Sequence, residues 1–73
     1  MRAKINLDTL SKINAFVEIC SKLGCEIKLV DGGNYCVNAK SLLGACLAAM
    51  DWTQIFVESP EDIYQHIREF VVE

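Results

Sequence analysis

The segment CEIKLVDGGNYCVN, from Cys25 to Asn38, contains the pattern that decides the fold. In its first half, Ile27 and Leu29 alternate with Glu26 and Lys28, which is typical of a strand that is buried on one face only. DGGN follows as a turn, because glycine adopts positive φ angles without steric cost. YCVN then returns as a short strand, so the segment predicts an antiparallel hairpin.

The residues before this hairpin predict a strand and a helix. AKINL (residues 3–7) alternates between apolar and polar side chains, as a half-buried strand does. DTLSKINAFVEICSKLG (8–24) changes to the three- and four-residue spacing of a helix. Asp8 or Thr9 can cap the start of this helix, and Gly24 can end it in a left-handed conformation. Its apolar stripe consists of Leu10, Ile13, Phe16, Val17, Cys20 and Leu23.

The residues after the hairpin predict helix, strand and helix. SLLGACLAAM (41–50) indicates a second helix, and TQIFVE (53–58) a fourth strand with Ile55 and Val57 on one face. SPEDIYQHIREFVV (59–72) predicts a third helix, with Ser59 as its cap and Pro60 in its first turn. The stripe of this last helix is Ile63, Ile67, Phe70 and Val71.

The element order is therefore βαββαβα within one domain, residues 1–73. Because the strands alternate cleanly, only one face of the sheet needs a cover, and all three helices are expected there. The predicted class is α+β, an open-faced β-sandwich with a four-stranded sheet.

Composition limits the function classes. The net charge of −3 weighs against nucleic acid as a partner, since nucleic-acid surfaces favour basic proteins. The sequence contains no apolar run near the roughly 20 residues that span a bilayer. It also shows no secretory signal. These observations predict a cytoplasmic protein that binds neither membranes nor nucleic acid.

The four cysteines are Cys20, Cys25, Cys36 and Cys46. Without a secretory signal, a disulfide framework is not expected, and the spacing contains no Cys-x-x-Cys for zinc. The single histidine, His66, is remote from them in sequence. We therefore expect reduced, structural thiols and no metal or cofactor, while a cysteine-based redox or metal protein remains the outside alternative.

The segment VNAKSLLG (37–44) resembles the region around the regulatory serine of HPr, the histidine-containing phosphocarrier of the bacterial phosphotransferase system. FVEICSKLGCEIKL (16–29) is similar to the end of that family's first helix and its second strand. The resemblance covers nearly the whole chain, and it implies the sheet order 1-4-2-3. It also implies that Ser41 is a candidate regulatory serine, with Lys40 beside it as a candidate anion-binding residue.

The chain departs from this family where the phosphocarrier chemistry takes place. In the family, a histidine just before the first helix accepts the phosphoryl group, and Thr9 stands at that position here. Ser11 and Lys12 replace the arginine and proline that follow. The resemblance therefore indicates an HPr-like protein without phosphocarrier activity, and not an enzyme.

Two roles for Ser41 and the second helix stay open at this stage. Ser41 can serve only as an N-cap, or it can also be phosphorylated. Leu42, Leu43 and Cys46 match positions of the family's docking surface, although some of them can instead complete the core. The expected function is a regulatory module that docks a protein partner through this helix. The alternative is a serine-phosphorylated effector or a divergent phosphocarrier of the phosphotransferase system. The sequence leaves the partner and the oligomeric state open.

Overall fold

The computed structural model describes residues 1–72 and has the predicted element order. The elements are β1 (Arg2–Ile5), α1 (Leu10–Lys22), β2 (Lys28–Val30), β3 (Cys36–Asn38), α2 (Leu42–Asp51), β4 (Ile55–Glu58) and α3 (Tyr64–Ile67), with a 3-10 turn at Arg68–Phe70.

The four strands form one antiparallel sheet in the order β1-β4-β2-β3. In register, Val57 of β4 lies between Ala3 of β1 and Leu29 of β2, and Leu29 pairs in turn with Val37 of β3. The α+β class and the open sheet are confirmed, and the order is the one that the resemblance implied.

The core fills the space between the sheet and the helices. Side chains that alternate along the strands point into it, as predicted for Ile55 and Val57. The Phe16 and Phe70 rings meet edge to face with their centroids 5.3 Å apart, which joins α1 to the 3-10 turn. The buried set is Ile5, Leu7, Ile13, Phe16, Cys20, Ile27, Leu29, Ala39, Ala45, Ala48, Ile55, Val57, Ile63, Ile67 and Phe70.

The hairpin turn between β2 and β3 is held by an aspartate and a glycine. The Asp31 Oδ1 atom accepts hydrogen bonds from the backbone N–H groups of Gly33 at 2.7 Å and Tyr35 at 3.3 Å. Gly32 has a φ of +90°, where a side chain would be strained. The DGGN turn therefore has the local chemistry that the sequence predicts.

One predicted detail of α1, its N-cap, is confirmed, and two others are wrong. Thr9 does cap the helix, since its hydroxyl accepts from the Lys12 N–H at 3.1 Å. Gly24 does not end it in a left-handed conformation: the helix stops at Leu23, which is extended at φ −88° and ψ 141° and packs against the core. Leu10, assigned to the buried stripe, is exposed. It is the first residue of the helix and lines an open groove between α1 and α2.

The third helix is much shorter than predicted. Ser59 does not cap it, because its hydroxyl donates to the Glu61 carbonyl in a local turn and the helix starts only at Tyr64. At the other end, the backbone becomes extended and joins β1, with an antiparallel bridge between Ile5 and Val71. Pairing with the strand edge replaces the last helical turn.

Candidate functional site

The turn that leads into α2 is built by three consecutive interactions. The Asn38 side chain accepts from the Lys40 N–H at 2.9 Å, and the Asn38 carbonyl accepts from the Ser41 N–H at 3.0 Å. Ala39 is fully buried between them. The Ser41 hydroxyl then accepts from the Gly44 N–H at 3.2 Å, so the predicted N-cap is confirmed.

Lys40 is engaged away from the start of α2. Its ammonium donates to the Leu23 carbonyl at 2.7 Å, at the C-terminal end of α1, where a positive charge complements the helix dipole. The Lys40 side chain therefore joins the turn before α2 to the C-terminal end of α1. Anion binding by Lys40 stays a prediction that its placement does not favour.

The helix α2 is packed with its small side chains inside and its large ones outside. Ala45 and Ala48 are its fully buried residues, whereas Leu43 is 72% exposed and Met50 is 80% exposed. A Cβ on Gly44 would lie 3.2 Å from the Val37 Cβ, which shows how closely α2 approaches β3. Only small residues fit that approach, so the leucines are left on the solvent side.

Two of the three predicted docking residues lie on the surface. Leu42 and Leu43 are both exposed, and Cys46 is half-buried and packs against the core. Sequence reasoning missed Leu47 and Met50, which are exposed on the same helix, and Leu10, which shares a groove with Met50 between α1 and α2. The sequence did contain a signal for this exposure. The helix α2 is apolar on all sides and so has more apolar residues than one buried face requires. We call the exposed set the α2 apolar surface: Leu10, Leu42, Leu43, Leu47 and Met50.

At the start of α1, Thr9 and Lys12 stand where the resemblance expects a histidine and a proline, and both make local contacts. Thr9 caps the helix, and the Lys12 ammonium pairs with the Asp8 carboxylate at 3.1 Å. His66 is exposed on α3.

The four cysteines differ in exposure and are all free thiols. Cys20 is fully buried, and burial raises the pKa of its thiol to about 11, although the nearby Lys40 ammonium opposes this. Such a thiol is a poor nucleophile at neutral pH. Cys25 and Cys46 are half-buried, and Cys36 is exposed. Within residues 1–72, no three His, Cys, Asp or Glu side chains are grouped to hold a metal ion.

An open cleft of about 600 Å³ lies at the C-terminal end of α2, beside the hairpin turn. Trp52 is half-buried, packs against the core and lines this cleft. The other lining residues are Asp31, Tyr35, Cys36, Val37, Leu47, Asp51 and Thr53. The cleft thus shares Leu47 with the α2 apolar surface.

The open face of the sheet offers a partner less apolar surface than the alternation of β4 suggests. Phe56 lies on this face, but the Arg2 guanidinium covers its ring at 4.6 Å from the centroid. Arg2 also pairs with the Glu58 carboxylate at 3.3 Å. The aromatic ring is therefore already in contact with a cation of its own chain.

Comparison of the chain with protein-family models, with curated proteins and with solved structures finds no match in any of the three. In the part of the chain that the structure describes, no helix is both long and apolar enough to cross a membrane.

Proposed function

We propose that this protein is an HPr-like regulatory module without phosphocarrier activity, which docks a protein partner through the α2 apolar surface. The observation that carries the proposal is the packing of α2, with alanines inside and leucines and methionine outside. Folding alone gains nothing from exposed Leu43 and Met50, whereas a partner that covers them removes apolar area from water.

The apolar side chains of this surface can contribute binding energy when a partner covers them. Burial of one leucine or methionine side chain contributes about 1.5–3 kcal/mol. Five such residues lie on the surface and its rim, so a partner has several anchors to cover. Part of this gain is offset by the lost freedom of the two molecules. The expected complex is one in which a few central side chains, above all Leu43, contribute most of the affinity.

The resemblance to HPr supports the same position for the partner. In that family the docking surface includes the second helix, and Leu42 and Leu43 match its positions. The replacement of the phosphoryl-accepting histidine by Thr9 supports a role in binding rather than in transfer.

A phosphoserine-switched effector is the second candidate, favoured by the position of Ser41. Its hydroxyl is part of the N-terminus of a ten-residue helix and directly precedes Leu42 and Leu43. A phosphate there would meet free N–H groups at the positive end of the helix dipole. It would also place negative charge beside an apolar contact, which a partner would sense.

Site-specific photo-crosslinking in the native host tests the docking surface. A photoreactive phenylalanine analogue at Leu43 or Leu47 should trap the same protein, identified by mass spectrometry. The same analogue at Tyr64, which is also exposed but lies on α3, is the control and should not trap it. Identical products from positions 43 and 64, or none from either leucine, would contradict docking through α2.

A phosphotransfer assay tests the absence of carrier activity. Incubated with phosphoenolpyruvate and the general phosphotransferase enzyme, the purified protein should acquire no acid-labile phosphate, because a threonine ester is not a labile donor. An active HPr serves as the positive control. Phosphohistidine at His66, or onward transfer to a sugar-specific component, would show that a carrier role remains.

A further inference from the structure

The cleft at the C-terminal end of α2 concentrates negative potential. Asp31 and Asp51 both line it, and the last carbonyl groups of α2 add the negative end of the helix dipole. Among residues 1–72, no lysine, arginine or histidine lines the cleft, and no ion pair reaches either aspartate. The cleft therefore favours a positively charged group.

Asp51 is placed against the preference of its own helix. It is the last residue of α2, where a negative charge opposes the dipole, and no basic residue occupies the last turn to offset it. The fold does not benefit from this carboxylate. A cation supplied from outside the chain would relieve the repulsion.

Asp31 is held in a fixed orientation. Its Oδ1 atom accepts from the Gly33 and Tyr35 N–H groups, while its Oδ2 atom has no hydrogen bond from the described residues. A carboxylate that is already anchored loses little freedom when it accepts another donor.

Two aromatic residues complete the lining. Tyr35 is exposed at the hairpin turn, and Trp52 follows the last residue of α2. Rings of this kind attract guanidinium groups more readily than ammonium groups, through cation–π contact and planar stacking. Together with the Asp51 carboxylate, whose two oxygens can accept paired N–H groups, they favour arginine over lysine.

The cleft is continuous with the α2 apolar surface. Leu43, Leu47 and Asp51 follow one another at four-residue steps and so form one ridge along the helix. A partner segment lying on the leucines would extend to the cleft at the end of this ridge.

We propose that the cleft receives an arginine side chain of the protein that docks on the α2 apolar surface. This inference rests on the proposed docking function and adds the charge of the partner: a segment with apolar side chains followed by an arginine. The negative lining of the cleft and the cation-free α2 ridge are complementary to such a segment.

Titration with two small molecules tests the cleft directly. N-acetyl-arginine amide should bind weakly, and N-acetyl-citrulline amide, its neutral isostere, should not bind at the same concentrations. Trp52 is the only tryptophan in the chain, so its fluorescence reports the cleft alone. Amide NMR shifts should change at Asp31, Tyr35, Asp51, Trp52 and Thr53. Equal shifts with both molecules, or shifts centred elsewhere, would overturn the inference.

Single substitutions separate binding from folding. Asp51→Asn should weaken arginine binding about fivefold, as expected for the loss of one partly exposed charge contact. The same substitution should raise the melting temperature, because it removes a charge that opposes the helix dipole. Asp31→Asn keeps an acceptor for the turn and should also weaken binding. Glu69→Gln, which lies outside the cleft, is the matched control and should bind as the wild type does.

The outcomes distinguish this inference from the docking function. If crosslinking at Leu43 traps a partner but arginine amide does not bind, docking stands and the arginine cleft is wrong. If sedimentation shows a dimer that Leu43→Glu dissociates, the surface belongs to a second copy of the chain and the inference is overturned. If arginine binds and Asp51→Asn weakens it, the inference holds.

Discussion

The hydrogen-bond partner of Ser41 can be predicted from the local sequence, whereas that of its neighbour Lys40 cannot. The cap requires only Ser41 and the N–H of Gly44 three residues later, so a sequence of a few letters is enough to predict it. The partner of Lys40 is the carbonyl of Leu23, 17 residues away in the chain. No local pattern can show a partner so distant in the sequence. Lys40 was therefore interpreted as a candidate anion-binding residue beside Ser41.

The cap gives a measurable stability effect. Ser41→Ala should lower the free energy of unfolding by about 1 kcal/mol, because the Gly44 N–H loses its acceptor. For a domain of this size, that corresponds to a fall of about 4–8 °C in melting temperature. Ser41→Asp should recover most of the loss, since aspartate caps and also complements the helix dipole. Urea denaturation and thermal melts followed by circular dichroism measure both changes.

Ser21→Ala is the matched control for this pair. The Ser21 hydroxyl donates to the Val17 carbonyl in the last turns of α1 and caps nothing. Its removal should change stability by no more than about 0.5 kcal/mol. Equal effects of Ser21→Ala and Ser41→Ala would contradict the cap. A Ser41→Asp variant that is stable but no longer crosslinks to the partner would favour the phosphoserine switch.

At the level of one element, α2 explains why the candidate surface could be predicted only in part. A helix with polar residues on one face shows its buried side directly in the sequence, but α2 is apolar from Leu42 to Met50. The close approach of Gly44 to Val37 selects the buried face, and this is a tertiary contact. For the same reason the exposure of Leu47 and Met50 was missed.

Two glutamate substitutions on α2 should differ strongly in their effect on stability. Leu43→Glu places a charge in solvent near the positive end of the helix dipole and should change the free energy of unfolding by less than about 0.5 kcal/mol. Ala45→Glu, two residues later, would bury an unpaired carboxylate at a cost of several kcal/mol. A domain of this length has about 0.05–0.15 kcal/mol of stability per residue, so Ala45→Glu should unfold it.

Circular dichroism and thermal melts distinguish these variants without any partner. A folded Ala45→Glu variant together with an unfolded Leu43→Glu variant would mean that the two faces of α2 are reversed. If both variants unfold, Leu43 is part of the core and the α2 apolar surface does not exist as described.

At the scale of the whole molecule, the class and the element order could be predicted because they depend on short-range patterns. Alternation places Ile27, Leu29, Ile55 and Val57 on the inner face, and the hairpin turn pairs β2 with β3. No local pattern shows that β4 lies between β1 and β2, and this position was predicted from the resemblance to HPr. The third helix was predicted too long, since nothing local shows that Val71 pairs with Ile5 at the edge of the sheet.

The sheet order also determines when the molecule can fold during its synthesis. The strand β4 lies between β1 and β2 in space but follows both of them in the chain. A nascent chain that ends before Ile55 contains the β2–β3 hairpin but offers β1 no strand to pair with. It also leaves the inner edge of β2 open and the apolar residues of α1 without a complete sheet to cover. The sheet therefore cannot be completed before β4 has been synthesised, and this topology favours folding in one late step rather than strand by strand.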